Sequence, residues 1–300
     1  MQGGDHALIL PAALPLGIPA RGPWGCGRPY AEDMVLLDTP VRLGVQVRPQ
    51  HVSYPQIREA VLWLEDFGVD IAFNWDHFYP LSGDPDGAHF ESWTMLGAWA
   101  EQTERIEFGA LVNCNSYRNA DLQADMARTV DHISAKGGAA GRFIFGTGSG
   151  WFEKDYVEYG YEFGTAGSRL DDLAEGLRRV EARWEQLNPA PTRKIPVMIG
   201  GAGEQKTLRL VARHADIWHS FVKPDAVTSK LDVLERWAQK EERDLSNLVV
   251  SNEIGARNVD EVEALYGAGV RLFTLGIDGP DWNFDAVKQW VAWRDAKNAA

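Results

Sequence analysis

At Asn74, Trp75, Asp76 and His77 a carboxylate and an imidazole stand side by side, directly after the apolar run 69–73. Imidazole titrates near neutral pH and can move a proton, and a neighbouring carboxylate can orient it or set its charge. Seen alone, the same residues also suit a capped turn, with Asp76 on backbone N–H groups and His77 on a carbonyl. A second polar cluster, Asn113, Cys114, Asn115, Ser116 and Arg118, follows the run 106–112. Helix capping by Ser116 or Asn119 explains that cluster equally well in isolation.

Two glycine-rich stretches could hold a ligand through the backbone. After 142–147 the chain reads Gly148, Ser149, Gly150 and Trp151, which permits a close backbone approach or merely a tight turn. After 195–199 come Gly200, Gly201, Ala202 and Gly203, with a helix expected to open near Glu204 and to carry Lys206 and Arg209 on its first turns. Small residues expose N–H groups and a helix start adds positive potential, which is what an anion requires. Neither the Walker ending nor the Rossmann spacing is met, so a phosphate that serves as a cofactor handle fits better than one that is transferred.

Other chemistries lack their residues. The seven histidines are scattered, with no His-Glu-x-x-His and no paired-cysteine pattern, so no metal is expected. No Gly-x-Ser-x-Gly joins a strand to a helix, which argues against acyl transfer. A polar and aromatic mouth with one phosphate cradle suits an organic cofactor that carries the electrons itself.

The elements that must position these residues alternate in type. β-branched runs at 41–47, 69–73, 106–112, 142–147, 195–199, 215–219, 248–253 and 270–275 are separated by segments of helical period. Leu170, Leu173, Leu177, Val180, Trp184 and Leu187 form one helical stripe, and Leu122, Met126, Val130 and Ile133 another. Glycines at 68 and 269 each precede a strand, where a helix must end. Eight such units predict an α/β fold of the (β/α)8 TIM-barrel type over 41–300, with a doubly wound sheet as the alternative. In both, ligands bind at the carboxyl ends of the strands, where the polar clusters fall.

Composition sets the outer limits. A formal net charge of −13 disfavours a nucleic-acid or anionic-membrane surface, and no apolar run reaches the roughly 18 residues needed to cross a bilayer. Two cysteines, Cys26 and Cys114, are too few for a disulfide framework and fit a reducing cytoplasm. Residues 1–40 are rich in Gly and Pro without a period and read as an extended or disordered leader, with Met34 an alternative start. Trp237, Trp282, Trp290 and Trp293 are expected as exposed residues at helical spacing that pack helices against the barrel or a second subunit.

Taken together, "FNWDHF", "IEFGALVNCNSYRN", "MARTVDHIS", "GRFIFGTGSGWFEKDYVEYGYEF" and "IPVMIGGAGEQKTLRLVARHADIW" resemble the bacterial luciferase-like monooxygenase superfamily, in its coenzyme F-420 (deazaflavin) dependent branch. The resemblance covers most of 41–220, in order; 221–300 agree only in rhythm. It implies a barrel that holds a flavin-type ring across the strand ends, usually in a homodimer. Asp76 then approaches the ring and His77 its reactive edge. Leu111 and Val112 match a place where the family often has a non-proline cis peptide pressing on the ring, Asn113 lies beside it, and Gly148, Ser149, Gly150 and Gly200, Gly201, Ala202, Gly203 match two loops near the cofactor phosphate. Three departures stand out: Trp151 where the sugar-phosphate branch has an acid, a longer link at 134–142, and Ala120 in place of a proline.

The expected function is hydride transfer between the deazaflavin and a small organic substrate. His77 moves the proton, Asp76 and Asn113 orient the ring and the imidazole, and Trp75, Trp151, Phe78 and Tyr79 wall the pocket. FMN-dependent monooxygenation is the first alternative, and a barrel that binds a cofactor without turnover is the second.

Overall fold

The computed structural model describes residues 39–255 and 257–300; residues 1–38 of the expected leader, with Cys26 and Met34, lie outside them. The strands are β1 (Arg42–Val47), β2 (Ile71–Asn74), β3 (Glu107–Ala110), β4 (Asn113–Cys114), β5 (Phe143–Gly148), β6 (Val197–Gly200), β7 (Ile217–Ser220), β8 (Val249–Glu253) and β9 (Leu272–Ile277). Between and after them run α1 (Tyr54–Asp66), α2 (Ser92–Gln102), α3 (Ala120–Ser134), α4 (Glu153–Tyr159), α5 (Ala166–Gln186), α6 (Thr207–His214), α7 (Pro224–Lys240), α8 (Val259–Gly267) and α9 (Phe284–Asn298). The strands pair in parallel in the order β3-β2-β1-β9-β8-β7-β6-β5, and β3 also pairs with β5, which closes the barrel; short β4 extends beside β5.

Alternation along each strand divides the core in two. In β7, Ile217 belongs to the cluster inside the barrel with Phe73, Ile144 and Met198, while Trp218 packs outward under the helices and donates to Gly201 O at 2.7 Å. A methyl on Gly44 would lie 2.7 Å from the Phe73 ring, so this glycine on β1 leaves room for Phe73 in the barrel centre. Closure at the bottom is polar: Asp70 accepts from Leu43 N at 2.8 Å and from Arg294 of α9 at 2.5 Å.

The expected strands are all present, with shifted ends. Most begin one or two residues later than the apolar runs because the first residues of each run finish the preceding turn. Gly68 and Gly269 have φ of +85° and +100°, as helix-ending glycines should. One expected strand ends early: 106–112 holds β3 and a bulge at Leu111 and Val112, β4 follows beyond the run, and the Leu111–Val112 peptide is cis.

Three packing expectations need correction. Met126, Val130 and Ile133 of the predicted α3 stripe pack on the core, but Leu122 is half exposed in an open groove of about 500 Å³ between α2 and α3. The buried face is also wider than the stripe and takes in Gln123, Ala124, Ala127, Asp131 and Ser134, which apolar spacing alone does not mark. Trp282 and Trp290 are buried rather than exposed, and Trp282 sits in the turn before α9 instead of on a helix. The helix after the anion loop opens at Thr207, three residues beyond Glu204.

Candidate active site

The first turn after β2 and the α4 helix after β5 meet at the carboxyl end of the barrel. His77 Nδ1 lies 2.7 Å from Asp155 Oδ2, and the Asp155 carboxylate also accepts from Phe78 N at 3.1 Å and Tyr117 Oη at 2.9 Å. An ionised carboxylate only accepts, so this contact favours a proton on His77 Nδ1, and in a neutral ring that leaves Nε2 as the acceptor. Trp75, Trp151 and Phe152 present ring edges or faces to this imidazole at 5.9, 5.7 and 5.5 Å. Asp155 itself is fully buried and His77 is 12% exposed, so the pair stands at the boundary between core and mouth.

Asp76 is turned the other way. Its buried carboxylate takes Arg118 Nη1 at 2.7 Å, Arg118 Nη2 at 3.0 Å and Cys114 N at 3.1 Å. Burial pushes the Asp76 carboxyl upward, and the guanidinium works against that rise. Arg118 is itself lowered by burial, but Asp76 and Glu91 raise it on balance, so it keeps its charge. This bidentate pair ties the β2 turn to the chain that leaves the bulge.

The bulge sits at the centre of the mouth. Gln46 Nε2 on β1 donates to Leu111 O at 2.7 Å, and Asn113 Nδ2 donates to Gly146 O at 2.8 Å. Val112 lies against inward-facing glycines: a methyl on Gly148 would come within 2.9 Å of Val112 Cγ2, and one on Gly200 within 3.4 Å of Cγ1. The result is a flat floor of bulge and backbone, with the Asn113 Oδ1 buried and unpartnered among the described residues. Gly150 has φ +77° and is braced through its carbonyl by Arg169 Nε at 3.2 Å.

The second loop follows β6, and β6 is reached from β2 through β3 and β5 on the same end of the barrel. Gly201 has φ +121°, and a methyl there would come within 3.0 Å of Thr207 Cγ2. Thr207, at the start of α6, is also 3.0 Å from a methyl built on Gly203. Lys206 and Arg209 do not face the loop. They pair with Asp171 at 2.6 Å and Glu241 at 2.6 Å, so both charges are engaged with carboxylates.

A family model described as luciferase-like monooxygenase matches residues 35–278. The chain belongs to the luciferase-like monooxygenase family. An uncharacterized protein of Mycobacterium tuberculosis is 28% identical over 193 residues, 57% of this chain and 60% of that relative, so the chain spans about 60% of the curated relative's length. Among solved structures, an F-420-dependent secondary alcohol dehydrogenase in complex with an F-420-acetone adduct superposes with a TM-score of 0.73 at 17% identity, over 84% of this chain and 98% of that one. A type II Baeyer-Villiger monooxygenase of Pseudomonas putida in complex with FMN does so with a TM-score of 0.55 at 18% identity, over 71% of this chain and 67% of that one. At these identities the likeness is one of fold, and both cofactor types occur among the neighbours.

For this luciferase-like chain the structure gathers Trp75, Asp76, His77, Leu111, Val112, Asn113, Gly148, Ser149, Gly150 and Trp151 about β2 to β5, with Gly200, Gly201, Ala202 and Gly203 at the end of β6. Of the other expected pocket walls, Phe78 stacks on Tyr159 at 3.9 Å, and Tyr79 lies under Lys154 at 4.0 Å. Asn74 ends β2 and is occupied with Ser92, donating to its carbonyl at 3.0 Å. Sequence reasoning missed Asp155 and gave Arg118 no partner. The available signal was position, since Asp155 falls just after a strand end as the other polar residues do. His89, which accepts from Trp75 Nε1 at 2.8 Å, had no signal at all. Among the described residues no three His, Cys, Asp or Glu side chains converge to hold a metal, and no helix is long and apolar enough to cross a membrane.

Proposed function

We propose that this chain is an oxidoreductase that binds coenzyme F-420 across the strand ends and exchanges hydride between it and a small organic substrate. The observation that carries the reading is the Asp155–His77 pair, which holds an imidazole with Nε2 as acceptor among aromatic rings beside the bulge. The residues suit a flat ring: Leu111, Val112 and the glycines offer an apolar plane without side chains in the way, and the buried Asn113 Oδ1 lacks a donor among the described residues.

When bound, the deazaflavin supplies two-electron hydride chemistry. His77 Nε2 takes the proton from a substrate hydroxyl, or returns it to a carbonyl, and Asp155 steadies the imidazolium that forms. Trp75, which is buried, and Trp151, which is 63% exposed, border the reacting end. Asp76 acts by position: through Arg118 and Cys114 N it fixes where the bulge ends. Gly148, Ser149 and Gly150 with Gly200, Ala202 and Gly203 hold the phosphoryl tail through backbone N–H groups, and Gly201, whose N–H is spent on His219 O, shapes that loop. The working form is proposed to be a cytoplasmic homodimer.

The FMN neighbour keeps a second reading open, FMN-dependent monooxygenation on the same floor. Titrating the purified chain with coenzyme F-420 and with FMN, then following hydride exchange and oxygen uptake, tests both. Tight deazaflavin binding with substrate-dependent reduction and no oxygen uptake is expected; preferential FMN binding with oxygen uptake would replace the first reading by the second.

A further inference from the structure

The inside of the barrel mouth has two unlike halves. On β2, β5 and β6 the inward positions are Phe73, Gly146, Gly148 and Gly200, together with the bulge. On β7, β8 and β9 they are His219, Ser251, Glu253 and Thr274, because Trp218, Val250 and Phe273 between them pack outward. His219 stands next to the cradle: it is in register with Gly200, and its carbonyl accepts from Gly201 N at 2.9 Å.

Three observations single out its side chain. His219 Nδ1 is 2.9 Å from Ser251 Oγ, which fixes the ring plane. Its Nε2 is buried and has no partner among the described residues, although a buried imidazole nitrogen is normally hydrogen-bonded. Burial brings its pKa down to about 3, so the ring is neutral at pH 7 and suits an uncharged partner. The rest of that wall is polar: burial pushes the Glu253 carboxyl upward, and it accepts from Thr274 Oγ1 at 2.9 Å.

We propose that His219 is a cofactor-binding residue whose Nε2 hydrogen-bonds an uncharged polar atom on the edge of the flavin-type ring that lies on the bulge. This rests on the cofactor reading above and adds the residue that reads the ring's polar edge. An apolar floor with a polar wall on one side matches a planar heteroaromatic ring, whose faces are apolar and whose carbonyl and ring-nitrogen edge needs partners. The contact is to the ring and not to the phosphoryl tail.

The test separates ring from tail. Binding of coenzyme F-420, its deazaflavin chromophore without the tail, FMN and riboflavin is measured by calorimetry for the wild type, His219→Phe, His219→Gln and Ala202→Asp. For whichever ring system binds, His219→Phe should weaken the tailed and tail-less forms by the same factor, about 10-fold or more. His219→Gln, which keeps a neutral hydrogen-bonding group, should recover part of the loss. Ala202→Asp should weaken only the tailed forms. Thermal melting of the apo protein is the folding control, since His219→Phe removes the Ser251 hydrogen bond as well as the unpartnered nitrogen, and affinities are compared only for variants that keep a cooperative transition. Unchanged affinity in a folded His219→Phe protein, or a loss confined to the tailed forms, would overturn the inference while leaving the cofactor reading intact. A wild type that binds none of the four would instead remove the cofactor reading itself.

Discussion

Asp155 Oδ2 meets His77 Nδ1 at 2.7 Å although the two residues are 78 positions apart. The helix that carries Asp155 follows β5 and the turn that carries His77 follows β2, so only closure of the barrel brings them together. Because Nδ1 is committed to the carboxylate, the chemistry left to His77 is that of Nε2.

His77→Ala should lower turnover by about two to four powers of ten, with cofactor affinity nearly unchanged. Asp155→Asn should lower kcat by about one to two powers of ten at constant cofactor affinity, since the amide no longer selects the Nδ1–H tautomer. Nitrogen NMR of labelled histidine is the separate readout: the wild type should show one His77 tautomer and Asp155→Asn a mixture. Unaltered turnover in both variants would remove the pair from the mechanism.

Arg118→Met strands the Asp76 carboxylate in the core, and breaking a buried pair from one side costs about 3–5 kcal/mol. Urea unfolding should show that loss for the single variant and a markedly smaller one for Asp76→Asn/Arg118→Met, where no fully buried charge is left unpaired and only the part-exposed Glu91 loses its arginine. Equal losses in the two would mean that the ion pair matters less than the volume of the arginine.

Backbone conformation decides how the phosphate loop is best probed. Any side chain at Gly201 is strained at φ +121°, so a charge placed there confounds repulsion with misfolding. Ala202→Asp adds the charge without that conflict and should weaken cofactor binding about 10-fold or more at low salt, recovering as salt rises. Salt-independent weakening would point to a steric cause.

His89 supplies a pH signature. Burial first, and the nearby His77 second, bring its pKa down to about 4 from 6.5. The unfolded chain therefore binds the proton between those values while the folded chain does not, and stability falls as pH drops from about 6.5 toward 4. Every tenfold difference in proton affinity between the two states is worth about 1.4 kcal/mol. In His89→Gln, whose carbonyl can still accept from Trp75 Nε1, urea unfolding between pH 7 and 5 should show a shallower decline than in the wild type. A parallel decline would place the titration elsewhere.

The eight parallel strands, their helices and the end of the barrel that carries the polar residues were legible in the sequence because each depends on local period and on glycines at helix ends. The same local reading placed Asp76 and His77 at one strand end, with His77 moving a proton and Asp76 orienting the ring and the imidazole. Their side chains in fact serve two partners on opposite sides of the turn, Arg118 and Asp155. Adjacent residues after a strand point in different directions, and which neighbour each meets depends on elements that are remote in sequence.

What the chain by itself determined was the list of elements and the positions where backbone or polar groups become available, since hydrophobic period and glycine placement act within a few residues. Tertiary structure alone decided which polar groups are spent on one another and which are left over. Lys206 and Arg209 are neutralised away from the loop, and Asp76 is locked to a guanidinium. His77 and His219 each commit Nδ1 to a neighbour, and the buried Nε2 of His219 has no partner among the described residues. The physical reason is that hydrogen bonds and ion pairs are settled by distance and burial in three dimensions, and closing a barrel fixes both at once for residues from every strand.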